Sequence, residues 1–167
     1  DGATRLSLSA YTRVDVSVAR WHLEAGSRFT RDDVRADDPV FGDTHITPDA
    51  VVNSLAARVD VSSAAHLFGS VSQAFRAPNI DDLSTLGAFD YGIEVPPGSL
   101  APERSLAIEG GAKLHTGRIA ATVAAYRMGL RDLIDRERAT FNGAPLLDGQ
   151  DVYHRANVGR AVVHGSE

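Results

Sequence analysis

The 167-residue sequence contains no cysteine, so disulfide frameworks, thiol nucleophiles and cysteine-ligated zinc sites are all excluded. It also contains no apolar run of about 18 residues, the length that a transmembrane helix requires. Lysine is nearly absent, because Lys113 is the single lysine among 17 basic residues. The 22 acidic residues bring the net charge to -5, and we therefore expect no nucleic-acid partner.

Ordered catalytic motifs are missing as well. Gly69-Ser70-Val71-Ser72-Gln73 lacks the second glycine of a nucleophile elbow. The six histidines are scattered, and none stands in a metal-ligand spacing such as H-E-x-x-H. Phosphate-binding glycine motifs are absent, and the aspartates between residues 32 and 43 lack the ordered spacing of a calcium loop. We therefore predict no enzyme activity, no bound cofactor and no metal site.

The strongest positive signal is a strict alternation of apolar and polar residues. With 43% hydrophobic residues the chain has enough apolar material to fold, and its length suits one domain over residues 1–167. From Leu6 to Val18 the even positions are almost all apolar and the odd positions mostly polar. This period of two predicts a β-strand with one apolar and one polar face. The strand is long, since strands in soluble proteins usually have about 5 to 6 residues.

The same alternation recurs along the chain and predicts an all-β fold of about seven antiparallel strands. They span residues 6–18, 21–30, 53–62, 67–75, 106–114, 119–138 and 152–167. Short turns near residues 19, 63 and 116 alternate with long loops at 31–49, 76–102 and 139–151. This order is typical of an up-and-down antiparallel transmembrane β-barrel, which has short turns at one rim and long loops at the other. A soluble β-sandwich is the alternative.

In the barrel interpretation, each strand has a lipid-facing side and a lumen-facing side. The residues expected to face lipid are Leu8, Val14, Val16, Leu55, Val59, Ile108 and Val123. The residues expected to face the lumen are Arg13, Asp15, Arg58, Asp60, Glu109 and Lys113. Glu109 and Lys113 lie four residues apart on one strand, so both are predicted to be charges of the lumen wall.

Four short motifs follow one another in the second half of the chain. The first is Phe75-Arg76-Ala77-Pro78, at the end of the fourth predicted strand. The second consists of Leu100, Pro102, Glu103, Ser105, Glu109 and Gly111. The third is Asp132-Leu133-Ile134, and the fourth consists of Tyr153, Asn157, Gly159, Ala161, Gly165 and Glu167. Together they resemble the barrel pattern of TonB-dependent outer-membrane receptors, which import iron-siderophore complexes, haem, vitamin B12 and some glycans.

The resemblance covers essentially the whole chain. It implies a fragment of a barrel of roughly 22 strands in the outer membrane of a Gram-negative bacterium. The implied partners are outer-membrane lipid, an extracellular nutrient such as an iron-siderophore complex, and TonB. TonB would act through a plug domain preceding Asp1, and the terminal strands would follow Glu167. The motifs argue against the alternative of a passive porin or adhesin barrel.

Several motif residues also have structural explanations. Pro78 has no N–H and favours an extended Ala77, so strand pairing should end where the strand leaves the barrel rim. Asn157 and Gly159 are expected to shape the rise of the last strand from its loop.

Residues 79–99 form the best candidate for a ligand-binding loop. They carry Phe89, Asp90, Tyr91 and Glu94, which place rings and acids between flexible glycines and the stiff Pro96-Pro97 pair. Haem receptors of the family have a histidine and an N-P-N-L box in this region, whereas residues 79–99 contain no histidine. The resemblance therefore does not favour haem as the ligand. The alternative is an ordinary rim loop that contacts no ligand.

Overall fold

The computed structural model describes residues 2–38, 42–84 and 86–167, which form eleven strands and one short helix. The first strands are β1 (Gly2–Val18), β2 (Trp21–Asp38), β3 (Gly42–Ile46), β4 (Asp49–Asp60) and β5 (Ala65–Arg76). Helix α1 (Ile80–Ser84) is followed by β6 (Gly87–Phe89) and β7 (Gly92–Glu94). The remaining strands are β8 (Glu103–Thr116), β9 (Ile119–Arg138), β10 (Leu146–Leu147) and β11 (Gln150–Ser166).

The long strands form one antiparallel sheet in the order in which they occur along the chain. The sheet runs β1-β2-β4-β5-β8-β9-β11, then continues through β7 to β6. Strand β7 pairs with β11 in parallel, through Ile93 and Glu94 opposite Val152 and Tyr153. The predicted all-β, up-and-down order of the long strands is confirmed. The predicted count of about seven strands is wrong, and the sheet does not close into a barrel within the described residues.

The additional strands lie within the segments that were expected to be long loops. Residues 31–49 contain the end of β2 and all of β3. In this part of β2 the apolar residues change from the odd positions, which end at Phe29, to the even positions Val34 and Ala36, which are buried on the opposite face. Residues 76–102 contain α1 and the β6–β7 hairpin. Strands of two or three residues are too short to show a period of two, so the alternation pattern does not detect them.

The two faces of the sheet follow the predicted alternation. Val14 pairs with Ala25, which pairs with Leu55, so these side chains form one row across the sheet. We call the face that carries this row the apolar face. It is uncovered in the chain, since Val14 and Leu55 are 56% and 57% exposed. Asp15 opposite Glu24, and Arg58 opposite His22, lie on the other side, which we call the polar face.

The packed core lies at only one end of the sheet. The turns after β1, β4 and β8 form the short-turn end, and the other connections form the long-loop end. At the long-loop end, α1 packs on the polar face of β2, where Leu83 and Leu100 join Val34 and Ala36 in a buried cluster. A second cluster consists of Ile93, Val95 and Val152. The segment between β5 and β8 is thus held in place by packing against the long-loop end of the sheet.

Candidate ligand site at the long-loop end

Arg76 links the first two sequence motifs. Its guanidinium donates from Nε and Nη2 to the two carboxylate oxygens of Glu103, both at 2.7 Å. Its Nη1 donates to Oδ2 of Asp82 in α1, also at 2.7 Å. A two-pronged arginine–carboxylate pair fixes orientation as well as distance. Arg76 therefore holds the end of β5, the start of β8 and the helix together.

The start of α1 is capped by two reciprocal hydrogen bonds. The Asp82 N–H donates to Asn79 Oδ1 at 2.8 Å, and the Asn79 N–H donates to Asp82 Oδ2 at 2.9 Å. This arrangement satisfies backbone donors that a helix start leaves unpaired. Ala77 and Pro78 are buried directly before it, so the strand ends at Arg76 and the chain turns inward.

The third and fourth motifs join the same region. The Ile134 N–H donates to Glu103 Oε1 at 2.9 Å. Asn157 accepts from the Ala101 N–H at 2.8 Å and donates to the carbonyl oxygens of Ala101 and Asp132. Asp132 has a φ of 58°, and the β9–β11 register shifts beside it. The four motifs thus converge on one hydrogen-bonded network that anchors residues 76–102 above β9.

The motif glycines allow close packing on the polar face. A Cβ on Gly111 would lie 2.6 Å from the Phe68 ring, and one on Gly159 would lie 2.7 Å from Leu133 Cβ. Lys113 lies over the Phe68 ring at 5.4 Å, while Glu109 is exposed on the same face. Among the other motif residues, Phe75 pairs with Arg104 on the apolar face and Pro102 is half-buried. These positions describe wall and packing roles.

Glu94 is the centre of a charged cluster beneath the β6–β7 hairpin. It is 2% exposed, and its Oε1 accepts from Arg155 Nε at 2.7 Å. Its Oε2 accepts from Arg136 Nε. Arg136 and Arg155 lie directly opposite each other on β9 and β11, where like charges destabilise a strand pair. Glu94 bridges the two arginines, offsets part of their repulsion and thereby attaches β7 to the long-loop end of β9 and β11.

Phe89 packs against the charged cluster around Glu94. The Arg136 guanidinium lies 4.4 Å from the centre of its ring, a cation–π contact. The Phe89 ring meets Tyr153 edge to face at 5.5 Å between ring centres. It also meets Tyr91 at 6.2 Å, again edge to face. Phe89 therefore connects the buried cluster with the exposed turn of the hairpin.

Asp90 and Tyr91 form that turn, which we call the hairpin tip. Tyr91 is 78% exposed, and Asp90 is also exposed. Neither Asp90 nor the Tyr91 hydroxyl makes a hydrogen bond or ion pair with the residues that the structure describes. The tip thus presents a carboxylate, a hydroxyl and an aromatic ring to solvent on a rigid support.

The structure brings the four predicted ligand residues together, but it places them differently. Asp90 and Tyr91 are accessible, whereas Glu94 has both oxygens bound and Phe89 is half-buried. Sequence reasoning did not identify Arg136, Arg155 and Tyr153 as their partners. A weak signal existed, because Glu94 is an acid in an otherwise apolar stretch between Gly92 and Pro96. The partners come from strands more than 40 residues away, and only the sheet register reveals them.

Within residues 2–38, 42–84 and 86–167, no three or more histidines and carboxylates are placed to hold a metal ion. No helix in the same ranges has the length and apolar character needed to cross a bilayer.

One family model matches the whole chain. The family model described as TonB dependent receptor-like, beta-barrel matches residues 1–167. No curated protein matches the chain in sequence. The fold is similar to that of the Serratia marcescens hemophore receptor HasR, with a TM-score of 0.76 and 18% identity over 97% of this chain and 31% of that one. It is also similar to the FrpB iron transporter of Neisseria meningitidis (F3-3 variant), with a TM-score of 0.75 and 18% identity over 98% and 23%.

A third similar structure is the ferric enterobactin receptor PfeA of Pseudomonas aeruginosa, a G324V mutant. Its TM-score is 0.61, with 18% identity over 98% of this chain and 32% of that one. The chain therefore spans no more than about a third of each of these three proteins. Members of the matched family are transport receptors of the Gram-negative outer membrane. The chain belongs to the TonB-dependent receptor β-barrel family.

Proposed function

We propose that this chain is part of the wall of an outer-membrane receptor that binds and imports a scarce nutrient, an iron-siderophore complex or a similar compound. The observation that carries the proposal is the hairpin tip, in which Asp90 and Tyr91 are exposed next to the ion-paired cluster around Glu94. Loops on a rigid scaffold commonly carry binding residues. A tip that is ordered before binding loses less entropy when a ligand binds.

The two faces of the sheet support a position in the membrane. The uncovered apolar face matches the outward band of a transmembrane barrel, which is about 25 Å tall. The polar face carries ion pairs such as Arg13 with Glu24 and Arg58 with Asp60, which suit a polar lumen. A soluble sandwich would need a second sheet on the apolar face, and the described residues form one sheet.

The proposed roles of the four residues follow from how exposed each side chain is. Tyr91 stacks on or hydrogen-bonds to the ligand, and Asp90 accepts hydrogen bonds from it. Glu94 contacts no ligand but positions the hairpin through Arg136 and Arg155. Phe89 supports Tyr91 from below. Lipid surrounds the wall, and TonB supplies energy through a plug domain elsewhere in the protein, so the chain itself performs no covalent chemistry.

Two of the similar proteins support iron compounds as the ligand class. They are an iron transporter and a ferric enterobactin receptor. Residues 79–99 contain no histidine, and a tyrosine with an aspartate suits a polar, aromatic iron chelate better than haem. A passive porin is the second candidate, but the packing of α1 and Leu100 over the polar face narrows any open channel.

The test is iron uptake by the full-length protein carrying Tyr91→Ala. Iron-starved cells are given ⁵⁵Fe-loaded siderophores of the catecholate and hydroxamate classes. We expect the siderophore concentration that gives half-maximal uptake to be about tenfold higher than for wild type, because the ligand loses one aromatic contact. The matched control is Tyr11→Ala, because Tyr11 is similarly exposed (82%) but lies on β1. Equal binding by both variants at equal surface levels contradicts the assignment, and passive uptake without saturation favours the porin.

A further inference from the structure

A row of three arginines crosses the apolar face near the long-loop end. Arg104 of β8 lies opposite Arg131 of β9, which lies opposite Arg160 of β11. Alternation puts them on the same side as Ile108 and Val162, two or four residues away. We call Arg104, Arg131 and Arg160 the basic row. Arg127 and His164, themselves opposite each other, lie on the same face four residues closer to the short-turn end.

The basic row lacks internal neutralisation. The side chains of Arg104 and Arg160 make no ion pair or hydrogen bond with any residue that the structure describes. The one acidic contact of Arg131 is Asp132 at 3.9 Å, and the Arg131 side chain is 66% exposed. Like charges directly opposite each other destabilise neighbouring strands. Three adjacent guanidinium groups with a single carboxylate, 3.9 Å from one of them, thus favour an anion from outside the chain.

The height of the row matches the headgroup level of a membrane. Arg131 lies twelve residues after Ile119, the first residue of β9 after the short turn. At about 3.3 Å per residue and a tilt of about 40°, this places Arg131 roughly 30 Å above the turn. The apolar band of a barrel is about 25 Å tall, so Arg131 lies at its upper boundary. Arginine is most costly at the midplane of the band and is tolerated toward the interface, where Arg131 lies and which Arg127, roughly 20 Å above the turn, approaches.

A groove lies beside the row. Strands β4 and β5 pair only from Ser54 and Ser72 downward, and above this point they separate. There the Gln73 side chain accepts a hydrogen bond from the Asn53 N–H at 3.1 Å, which replaces a backbone hydrogen bond between the two strands. The resulting cavity has a volume of about 560 Å³, and its lining includes Val51, Gln73, Arg104, Leu106, Gly129 and Arg131. An added Cβ on Gly129 would meet nothing within 4 Å, so the groove is open there.

We propose that the basic row binds the phosphate of an anionic lipid of the surrounding membrane, while an acyl chain of that lipid lies in the adjacent groove. Arg104 and Arg131 belong to both features, so one amphiphilic ligand satisfies the unpaired charge and the apolar lining together. Guanidinium groups bind phosphate through paired, charge-assisted hydrogen bonds. This inference rests on the proposed membrane position of the sheet.

The test measures lipid binding by the full-length protein in nonionic detergent micelles. The probe is dimyristoyl phosphatidic acid, compared with dimyristoyl phosphatidylcholine and with inorganic phosphate. The variant is Arg104→Gln/Arg131→Gln. The matched control is Arg20→Gln/Arg118→Gln, which removes two exposed arginines at the short-turn end. Arg104→Lys/Arg131→Lys keeps the charge and checks that the site region still folds.

We expect the glutamine variant to bind phosphatidic acid about tenfold more weakly than wild type, since two charge-assisted contacts are lost. The control should bind like wild type, and the lysine variant should retain most of the affinity. Equal affinity of the glutamine variant and the control overturns the proposal. Displacement of the lipid by inorganic phosphate at equal concentration also overturns it, because the site would then be an ion site without an acyl groove.

The two proposals fail separately. If phosphatidic acid binds through Arg104 and Arg131 but no iron chelate is taken up, only the receptor function is contradicted. If uptake depends on Tyr91 while both double-arginine variants bind lipid alike, only the lipid site is contradicted.

Discussion

Two groups of cross-strand arginines on opposite faces of the sheet differ in how their charge is balanced. On the polar face, Arg136 and Arg155 share the buried carboxylate of Glu94. On the apolar face, Arg104, Arg131 and Arg160 have only Asp132, at 3.9 Å from Arg131. The same strand geometry therefore serves two purposes. The pair bridged by a buried carboxylate fixes a hairpin, and the row with a single distant carboxylate is available to an anion from the surroundings.

Removing the carboxylate that Arg136 and Arg155 share should have the largest effect on stability. In Glu94→Gln the two arginines lose their shared carboxylate, and we expect a local loss of about 1–3 kcal/mol in the stability of the β6–β7 hairpin. This loss of stability is smaller than the loss expected for a fully buried ion pair, because the Arg136 and Arg155 side chains are 32% and 20% exposed. Limited proteolysis of the full-length protein at residues 87–94 measures this effect.

Glu137→Gln is the matched control for that variant. Glu137 pairs with His154 at 3.1 Å on the same two strands, but its side chain is 46% exposed. Its removal should leave the cleavage rate near that of wild type, since exposed pairs contribute little. Equal cleavage of both variants would show that Glu94 does not hold the hairpin.

Removing one charge from the basic row should have a smaller effect on stability, and of opposite sign. Without lipid, Arg131→Gln removes repulsion from the arginines on both sides, and we expect a gain of about 0.2–1 kcal/mol. Thermal unfolding in nonionic detergent measures this gain, and added phosphatidic acid should reverse the order of wild type and variant. A destabilised Arg131→Gln in lipid-free detergent would mean that the row is already neutralised within the protein.

The sequence predicts the long strands well and the site only partly. Alternation identifies the apolar row through Val14 and Leu55, because a half-exposed sheet imposes a period of two. It does not reveal that Arg136 faces Arg155, since a long connection rather than a tight turn joins β9 to β11 and leaves their register unspecified by spacing. It also misses the parallel pairing of β7 with β11, which depends on a hairpin of three-residue strands. Both charge clusters arise from such register details, so neither could be predicted from spacing.

The central claim is that the hairpin tip lies outside the cell and the short turns lie on the other side of the outer membrane. The absence of cysteine from the chain allows a direct measurement. Tyr91→Cys and Arg118→Cys are introduced separately into the full-length protein, and intact cells are treated with a membrane-impermeant maleimide, with the unsubstituted protein as background. We predict labelling of Tyr91→Cys on intact cells, and of Arg118→Cys only after the outer membrane is permeabilised. Equal labelling of both on intact cells, or labelling of Arg118→Cys alone, would contradict the account.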